Sequence, residues 1–246
     1  MDLGLTGRTA IVCGASSGMG LGIAESLREE GANVVMFARR RELLEREAER
    51  IGATAVTGDV TSASDLELLV ETAVETYGGI DILVNNSGGP PRATARALDA
   101  EQVEEAVGLL LVSVVGLTSL CLPYLEKSGR GRIVNITSST VREPIENLVL
   151  SNVVRPGVIG WAKSLAREIG PLGITVNSIA PGSIDTDRIR ELHPDGPSEE
   201  DLQEIPLRRL GSPREIGDVV AFLCSDRASY VSGAVIFVDG AASRSL

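Results

Sequence analysis

The sequence predicts an α/β protein: one domain in three layers, a doubly wound parallel sheet of about seven strands with helices on both faces. Three observations lead there. Short runs rich in β-branched residues alternate with helical patterns from end to end. Runs such as Ala10–Cys13 and Val34–Phe37 are continuously apolar, as strands covered on both faces must be. No Pro/Ser-rich linker or charge block divides the chain, so residues 1–246 read as a single domain.

The expected strands are Thr9–Cys13, 33–37, 53–57, 82–84, Arg132–Ile136, 175–179 and Val235–Val238. Between them helical patterns cover 20–30, Arg41–Ile51, 66–77, 103–125, 158–169 and 214–223. From Ala106 to Leu125 no side chain is charged, a length that would span a bilayer. Gly108, Ser113, Gly116, Thr118, Ser119 and Pro123 interrupt that run in mid-chain, which points instead to a buried or interface helix and to no membrane. One long irregular stretch, about 183–212, reads as a substrate flap.

Composition narrows the function classes. With 23 Lys plus Arg against 34 Asp plus Glu, the net charge of -11 offers no basic footprint for nucleic acid. Cys13, Cys121 and Cys224 are an odd number at unrelated spacings, as expected of reduced thiols in a cytoplasmic protein. No metal site is expected, since His193 is the lone histidine and no CxxC occurs. The opening Met1-Asp2-Leu3-Gly4 has no basic segment or apolar run, so no signal peptide is expected.

The first strand runs directly into Gly14-Ala15-Ser16-Ser17-Gly18-Met19-Gly20, where a helix opens. Glycines there let the turn tighten and the backbone approach a pyrophosphate, whose charge the helix N-terminus favours. This is the context of a Rossmann-type dinucleotide site. An NAD site carries an acidic residue about 20 residues further on, for the ribose 2′-OH. Here the second strand ends in Ala38-Arg39-Arg40-Arg41. A carboxylate would repel a 2′-phosphate and a guanidinium can fork onto it, so NADP(H) is favoured over NAD(H), with Arg39 and Arg40 as its readers.

With these residues in view, the chain resembles the short-chain dehydrogenase/reductase family, close to its β-ketoacyl-carrier-protein-reductase-like branch. The matching motifs run through the whole chain: residues 14–20, Asp59-Val60, Asn85-Asn86-Ser87-Gly88, residues 133–138, Pro181-Gly182 with Thr186, Val231-Ser232-Gly233 and Val238-Asp239-Gly240. The resemblance implies that Asp59 and Val60 flank the adenine and that Asn86 and Gly88 line the cleft. It further implies that Pro181, Gly182, Ile184 and Thr186 meet the nicotinamide end, and that the chain self-associates as a homotetramer or homodimer through its long apolar helices.

The family reduces carbonyls with Asn, Ser, Tyr and Lys, and this sequence departs from that set. Ser138 stands where the family has its serine, but Ser151 replaces the tyrosine, Arg155 the lysine and Leu110 the asparagine. An aliphatic hydroxyl is a far poorer acid than a phenol, and Arg155 keeps a charge and can hold a ribose yet cannot trade protons. Pro156 disfavours helical backbone at Arg155, so Ser151 and Arg155 are not expected to share a helix face. Other proton donors to consider are Tyr124, Tyr230, His193 and Glu143.

The expected catalytic residues are thus Ser138, Ser151 and Arg155. The expected cofactor residues are Gly14, Ser16, Ser17, Gly18, Met19, Gly20, Arg39, Arg40, Asp59, Val60, Asn86, Gly88, Arg155, Pro181, Gly182, Ile184 and Thr186. The leading function is an NADP(H)-dependent oxidoreductase acting on a small-molecule carbonyl or alcohol with an atypical proton-transfer site. Dinucleotide binding without turnover, and non-redox chemistry in the same cleft, stay open beside it.

Overall fold

A computed structural model of the chain describes residues 2–192 and 196–245. The chain begins with β1 (Thr9–Cys13), α1 (Gly18–Glu29), β2 (Asn33–Ala38), α2 (Arg41–Ile51), β3 (Thr54–Thr57), α3 (Ala63–Tyr77) and β4 (Ile82–Asn85). It continues with α4 (Ala100–Val107), α5 (Ser113–Ser128), β5 (Arg132–Ile136), α6 (Val149–Ile169), β6 (Thr175–Pro181), α7 (Asp187–Leu192), α8 (Glu199–Gln203), α9 (Pro213–Cys224) and β7 (Val235–Val238).

The strands form one seven-stranded sheet in the order β3-β2-β1-β4-β5-β6-β7, parallel at every pairing. Strands of this sheet alternate their apolar side chains between two cores. Ile23 and Leu27 of α1 and Val220 of α9 pack with Val12, Val34 and Val84 on one face. Leu69 of α3, Leu117 and Cys121 of α5 and Ala162 of α6 pack with Ile11, Val35 and Leu83 on the other. The three layers and single sheet predicted from the alternation are those observed.

Helix ends follow local chemistry. Ser62 accepts from the Asp65 amide, and this N-cap starts α3 three residues before the apolar pattern does. Asp99 with Gln102 and Ser212 with Glu215 form capping boxes that open α4 and α9. Gly52, Gly78 and Gly129, all left-handed, close α2, α3 and α5.

Three expectations need correction. The helix expected at 158–169 begins at Val149 and carries Pro156 in its interior. Leu150, Val154, Val158, Ala162 and Ala166 recur every four residues and are all buried, so packing of that stripe overrides the local bias of the proline. Ser151 and Arg155 therefore do share a helix face. The long helix also exceeds its expected bounds: α4 and α5 join through a π-helical turn, Gly108–Val112, into one helix from Ala100 to Ser128. Its most apolar window is 33% buried: Leu117, Cys121 and Leu125 face the sheet while Val112 is 60% exposed.

Finally, the stretch at 183–212 is not irregular, because it contains α7 and α8. Its two ends are pinned together, with the Asp185 amide donating to the Gly211 carbonyl at 2.8 Å and the Gly211 amide to that of Ser183 at 3.0 Å. The short helices escaped the sequence reading because each spans too few residues to show a period.

Candidate functional site

In this strand order the chain reverses direction around β1, which lies between β2 and β4, so a crevice opens beyond the carboxyl ends of β1 and β4. The segments at 14–20, 39–41, 59–60, 86–88 and 182–186 each follow the carboxyl end of a strand. A cavity of about 460 Å³ occupies the crevice and is lined by thirteen of the expected cofactor residues: Gly14, Ser16, Ser17, Gly18, Met19, Gly20, Arg39, Arg40, Asp59, Val60, Asn86, Gly88 and Thr186. Gly58, Leu109 and Asp187 also line it and carry no sequence motif that singles them out.

The glycine turn has a steric logic. Gly14 sits at φ +62°, and a Cβ there would lie 2.7 Å from Asn86 Nδ2. A Cβ on Gly20 would run into the Gly14 carbonyl. The Asn86 amide donates to the Cys13 carbonyl at 3.1 Å and ties the ends of β1 and β4 together. At the start of α1 the N-cap Ser17 makes no side-chain capping bond and no acidic residue occupies the first turn. The amides of that turn are thus left for an anion.

The two arginines after β2 have different partners. Arg40 Nη2 donates to Ser17 Oγ and, at 3.4 Å, to Ser16 Oγ, and it pairs with Asp187 at 3.9 Å. Arg39 is 74% exposed in its side chain and pairs with Asp59 at 3.7 Å. Asp59 is held below the usual carboxylate range chiefly by the Thr61 amide and hydroxyl, with a smaller contribution from Arg39.

Ser138 does not line that cavity; it follows the carboxyl end of β5. Its Oγ accepts from the Thr140 amide at 3.2 Å, within the 3-10 turn Ser139–Val141. Arg155 Nη1 donates to the Ile136 carbonyl at 3.0 Å, so α6 is fastened to the strand that carries Ser138. Ser151 stands one turn before Arg155, but its hydroxyl is buried and meets Thr140 Oγ1 at 2.9 Å. Leu110 lies on the π turn, 2% exposed, packed with Ala106, Leu150 and Val154 in an apolar cluster.

The remaining candidates are scattered. Pro181 ends β6, and the Gly182 amide donates to the Val238 carbonyl at 3.1 Å. Ile184 is 4% exposed with its side chain in the core, so only its backbone can face a ligand. Tyr124 packs against the α3–α5–α6 core and Tyr230 is fully exposed. Glu143 accepts a hydrogen bond from the Ser245 amide. His193 lies outside the described residues. The three cysteines are buried and free, and burial pushes the Cys13 and Cys224 thiols up to about 12, which removes them as nucleophiles at neutral pH.

Comparison with known proteins gives relatives in sequence and neighbours of the same shape. Residues 14–242 match the family model described as enoyl-(acyl carrier protein) reductase. An uncharacterised oxidoreductase of Mycobacterium bovis is 37% identical over 240 residues, covering 96% of this chain and 97% of that one. The dehydrogenase/reductase SDR family member 4 of Oryctolagus cuniculus is 36% identical, with 97% and 94% covered. A 3-oxoacyl-[acyl-carrier-protein] reductase of Vibrio cholerae is 35% identical, with 97% and 98% covered. Among solved structures, L-sorbose reductase of Gluconobacter frateurii, complexed with NADPH and L-sorbose, superposes with a TM-score of 0.92 at 32% identity over 100% of both chains. An NADPH-bound short-chain oxidoreductase of Pseudomonas aeruginosa, described as containing an atypical catalytic center, superposes with a TM-score of 0.92 at 32% identity over 97% of this chain and 98% of that one.

Proposed function

Because the chain belongs to the short-chain dehydrogenase/reductase family, we propose that it is an NADP(H)-dependent oxidoreductase acting on a small-molecule carbonyl or alcohol. The observation that carries this reading is the Arg40 guanidinium, held against Ser16 and Ser17 of the glycine turn at the end of a strand that bears no carboxylate. The NADPH-bound neighbours support the same choice. Gly14 and Gly20, where a Cβ would strike Asn86 and the Gly14 carbonyl, keep the turn as tight as a dinucleotide-binding turn requires, and the residues around it fit that group.

The cofactor supplies or takes up the hydride when bound. The turn at 14–20 and the first amides of α1 receive the pyrophosphate, and Arg40 with Arg39 receives the 2′-phosphate. Asp59 and Val60 flank the adenine. Asn86, Gly88, Thr186 and the backbone of Pro181, Gly182 and Ile184 border the nicotinamide half. Ser138 Oγ accepts the Thr140 amide, and its O–H is left to donate a hydrogen bond to the substrate oxygen, which takes its proton from solvent on reduction. Arg155 holds a fixed positive charge beside the end of β5 and steadies negative charge and ribose, without releasing a proton. General acid catalysis contributes about 10²–10⁴-fold, and with no phenol at position 151 this site does without that gain.

Titration of NADPH followed by a screen of carbonyl compounds, read by nicotinamide absorbance, tests the proposal. Turnover is the expected result. Binding without turnover against any carbonyl would favour the second reading, a dinucleotide-dependent sensor or partner subunit. That reading is favoured by the buried Thr140–Ser151 contact and the apolar surroundings of Leu110.

The flap at 183–212 is proposed to select the substrate, and the protein to work in the cytoplasm. Self-association as a homodimer or homotetramer is proposed through the joined α4–α5 helix and α6. Val112 and Val153 there are 60% and 56% exposed, and Trp161, partly buried against the chain's own core, is proposed as an aromatic anchor. Light scattering that shows a monomer at micromolar concentration would overturn the assembly.

A further inference from the structure

The turn that follows Ser138 is fastened by a contact outside the family pattern. Thr140 and Ser151 are 3% and 5% exposed, and their hydroxyls meet at 2.9 Å. A hydroxyl buried among apolar neighbours is costly to leave unpaired, so the two side chains hold one another in a single arrangement. The backbone amide of Thr140 in turn holds Ser138 Oγ at 3.2 Å, and the Val141 amide donates to the Ser138 carbonyl at 3.1 Å. A continuous set of hydrogen bonds thus runs from α6 through Ser151 and Thr140 to Ser138. Ser138 has an extended backbone, and the Thr140 amide is the donor that fixes where its oxygen sits.

We infer that Thr140 is a positioning residue for Ser138, and that Ser151 acts only through Thr140 by locking the 3-10 turn onto α6. This rests on the reading that Ser138 meets the substrate oxygen. Nothing in the sequence signals it, because Thr140 belongs to no motif and its partner stands eleven residues away. The chemistry is simple. The Thr140 N–H donates to the Ser138 oxygen and keeps it turned toward the turn, which directs the Ser138 O–H outward to the substrate.

The test uses the full-length protein, NADPH and 4-nitrobenzaldehyde, an activated carbonyl that asks little of an acid catalyst. Thr140→Val and Ser151→Ala are each compared with the Thr140→Val/Ser151→Ala pair and with Thr140→Ser. Two readouts are taken: amide hydrogen exchange across residues 138–142, and the split between kcat and KM. Each single variant is expected to speed exchange in that turn about tenfold. Each is also expected to lower kcat about 10- to 100-fold with KM and NADPH affinity unchanged. The pair removes both hydroxyls, leaves neither orphaned and is expected to lose no more kcat than a single variant, and Thr140→Ser restores both readouts. Unchanged exchange in the single variants overturns the inference, and so does faster exchange with an unchanged kcat, which marks the contact as merely structural. If the unmodified protein turns over no carbonyl, the oxidoreductase reading fails by itself, while exchange still decides whether Ser151 and Thr140 hold the turn.

Discussion

Arg40 reaches back from the end of β2 to place Nη2 on Ser17 Oγ, while its neighbour Arg39 turns to Asp59 at 3.7 Å. Adjacent residues of identical chemistry are therefore unequal. Arg40 is held on the glycine turn as well as paired with Asp187, whereas Arg39 makes an exposed, screened pair with Asp59.

The first prediction follows from that inequality. Arg40→Ala is expected to weaken NADPH binding about 10- to 100-fold, as loss of a charge-assisted bond does, and to leave NADH almost untouched. Arg39→Ala should cost NADPH clearly less. Fluorescence titration with both cofactors checks this, and equal losses for the two cofactors would remove Arg40 from the 2′-phosphate site.

A second prediction concerns restoring the family's catalytic residues. Ser151→Tyr, Arg155→Lys and Leu110→Asn together are expected to fail, because a tyrosine at position 151 would be forced against buried Thr140. Adding Thr140→Ala makes room for the ring. The fourfold variant should then gain ketone reduction that the threefold variant lacks. These groups act as a unit, so single replacements carry little information. Activity in the threefold variant would show that the turn yields more readily than its packing implies.

Helix α6 carries Pro156 in its interior, where the ring removes one intrahelical hydrogen bond. Pro156→Ala is expected to stabilise the protein by about 1–2 kcal/mol, after allowance for the greater freedom of the unfolded chain. Urea unfolding with an unchanged m-value measures it. A lower midpoint would mean that the ring's packing and its restriction of the unfolded chain outweigh the hydrogen bond it removes.

Acid stability offers a fourth check. The Arg209 fork and the Ser212 amide hold Glu215 down from 4.5 to about 2. A carboxyl depressed on folding contributes stability that is fully present above its unfolded value and is lost as pH falls through its folded one. Glu215 also completes the capping box of α9. In Glu215→Gln the melting temperature should therefore be lower at neutral pH, and it should fall less steeply between pH 4.5 and about 2 than in the unmodified protein. Solvent exposure keeps the effect small, and parallel pH profiles for the two proteins would contradict it.

The alternation of β-branched runs with helical periods was enough to determine the sheet, its parallel sense and its seven strands. At Thr9–Cys13, Arg41–Ile51, Arg132–Ile136 and Val235–Val238 even the bounds agree. The lining of the cavity at the carboxyl ends of the strands was legible for a related reason: a site of the dinucleotide-binding kind is built from backbone there, so its requirements fall on contiguous short motifs such as 14–20 and 38–40. What depended on side chains meeting across the fold was not legible. Local preference at Pro156 argued against a helix, and only the buried stripe from Leu150 to Ala166 overruled it. Arg39 and Arg40 are indistinguishable by type, and only the position of Ser17 and Asp59 separates them. Ser151 reads as a bare hydroxyl until Thr140 arrives from the neighbouring turn to occupy it. Periodicity and backbone motifs are written along the chain, whereas the partner of a polar side chain is chosen by packing between segments distant in sequence.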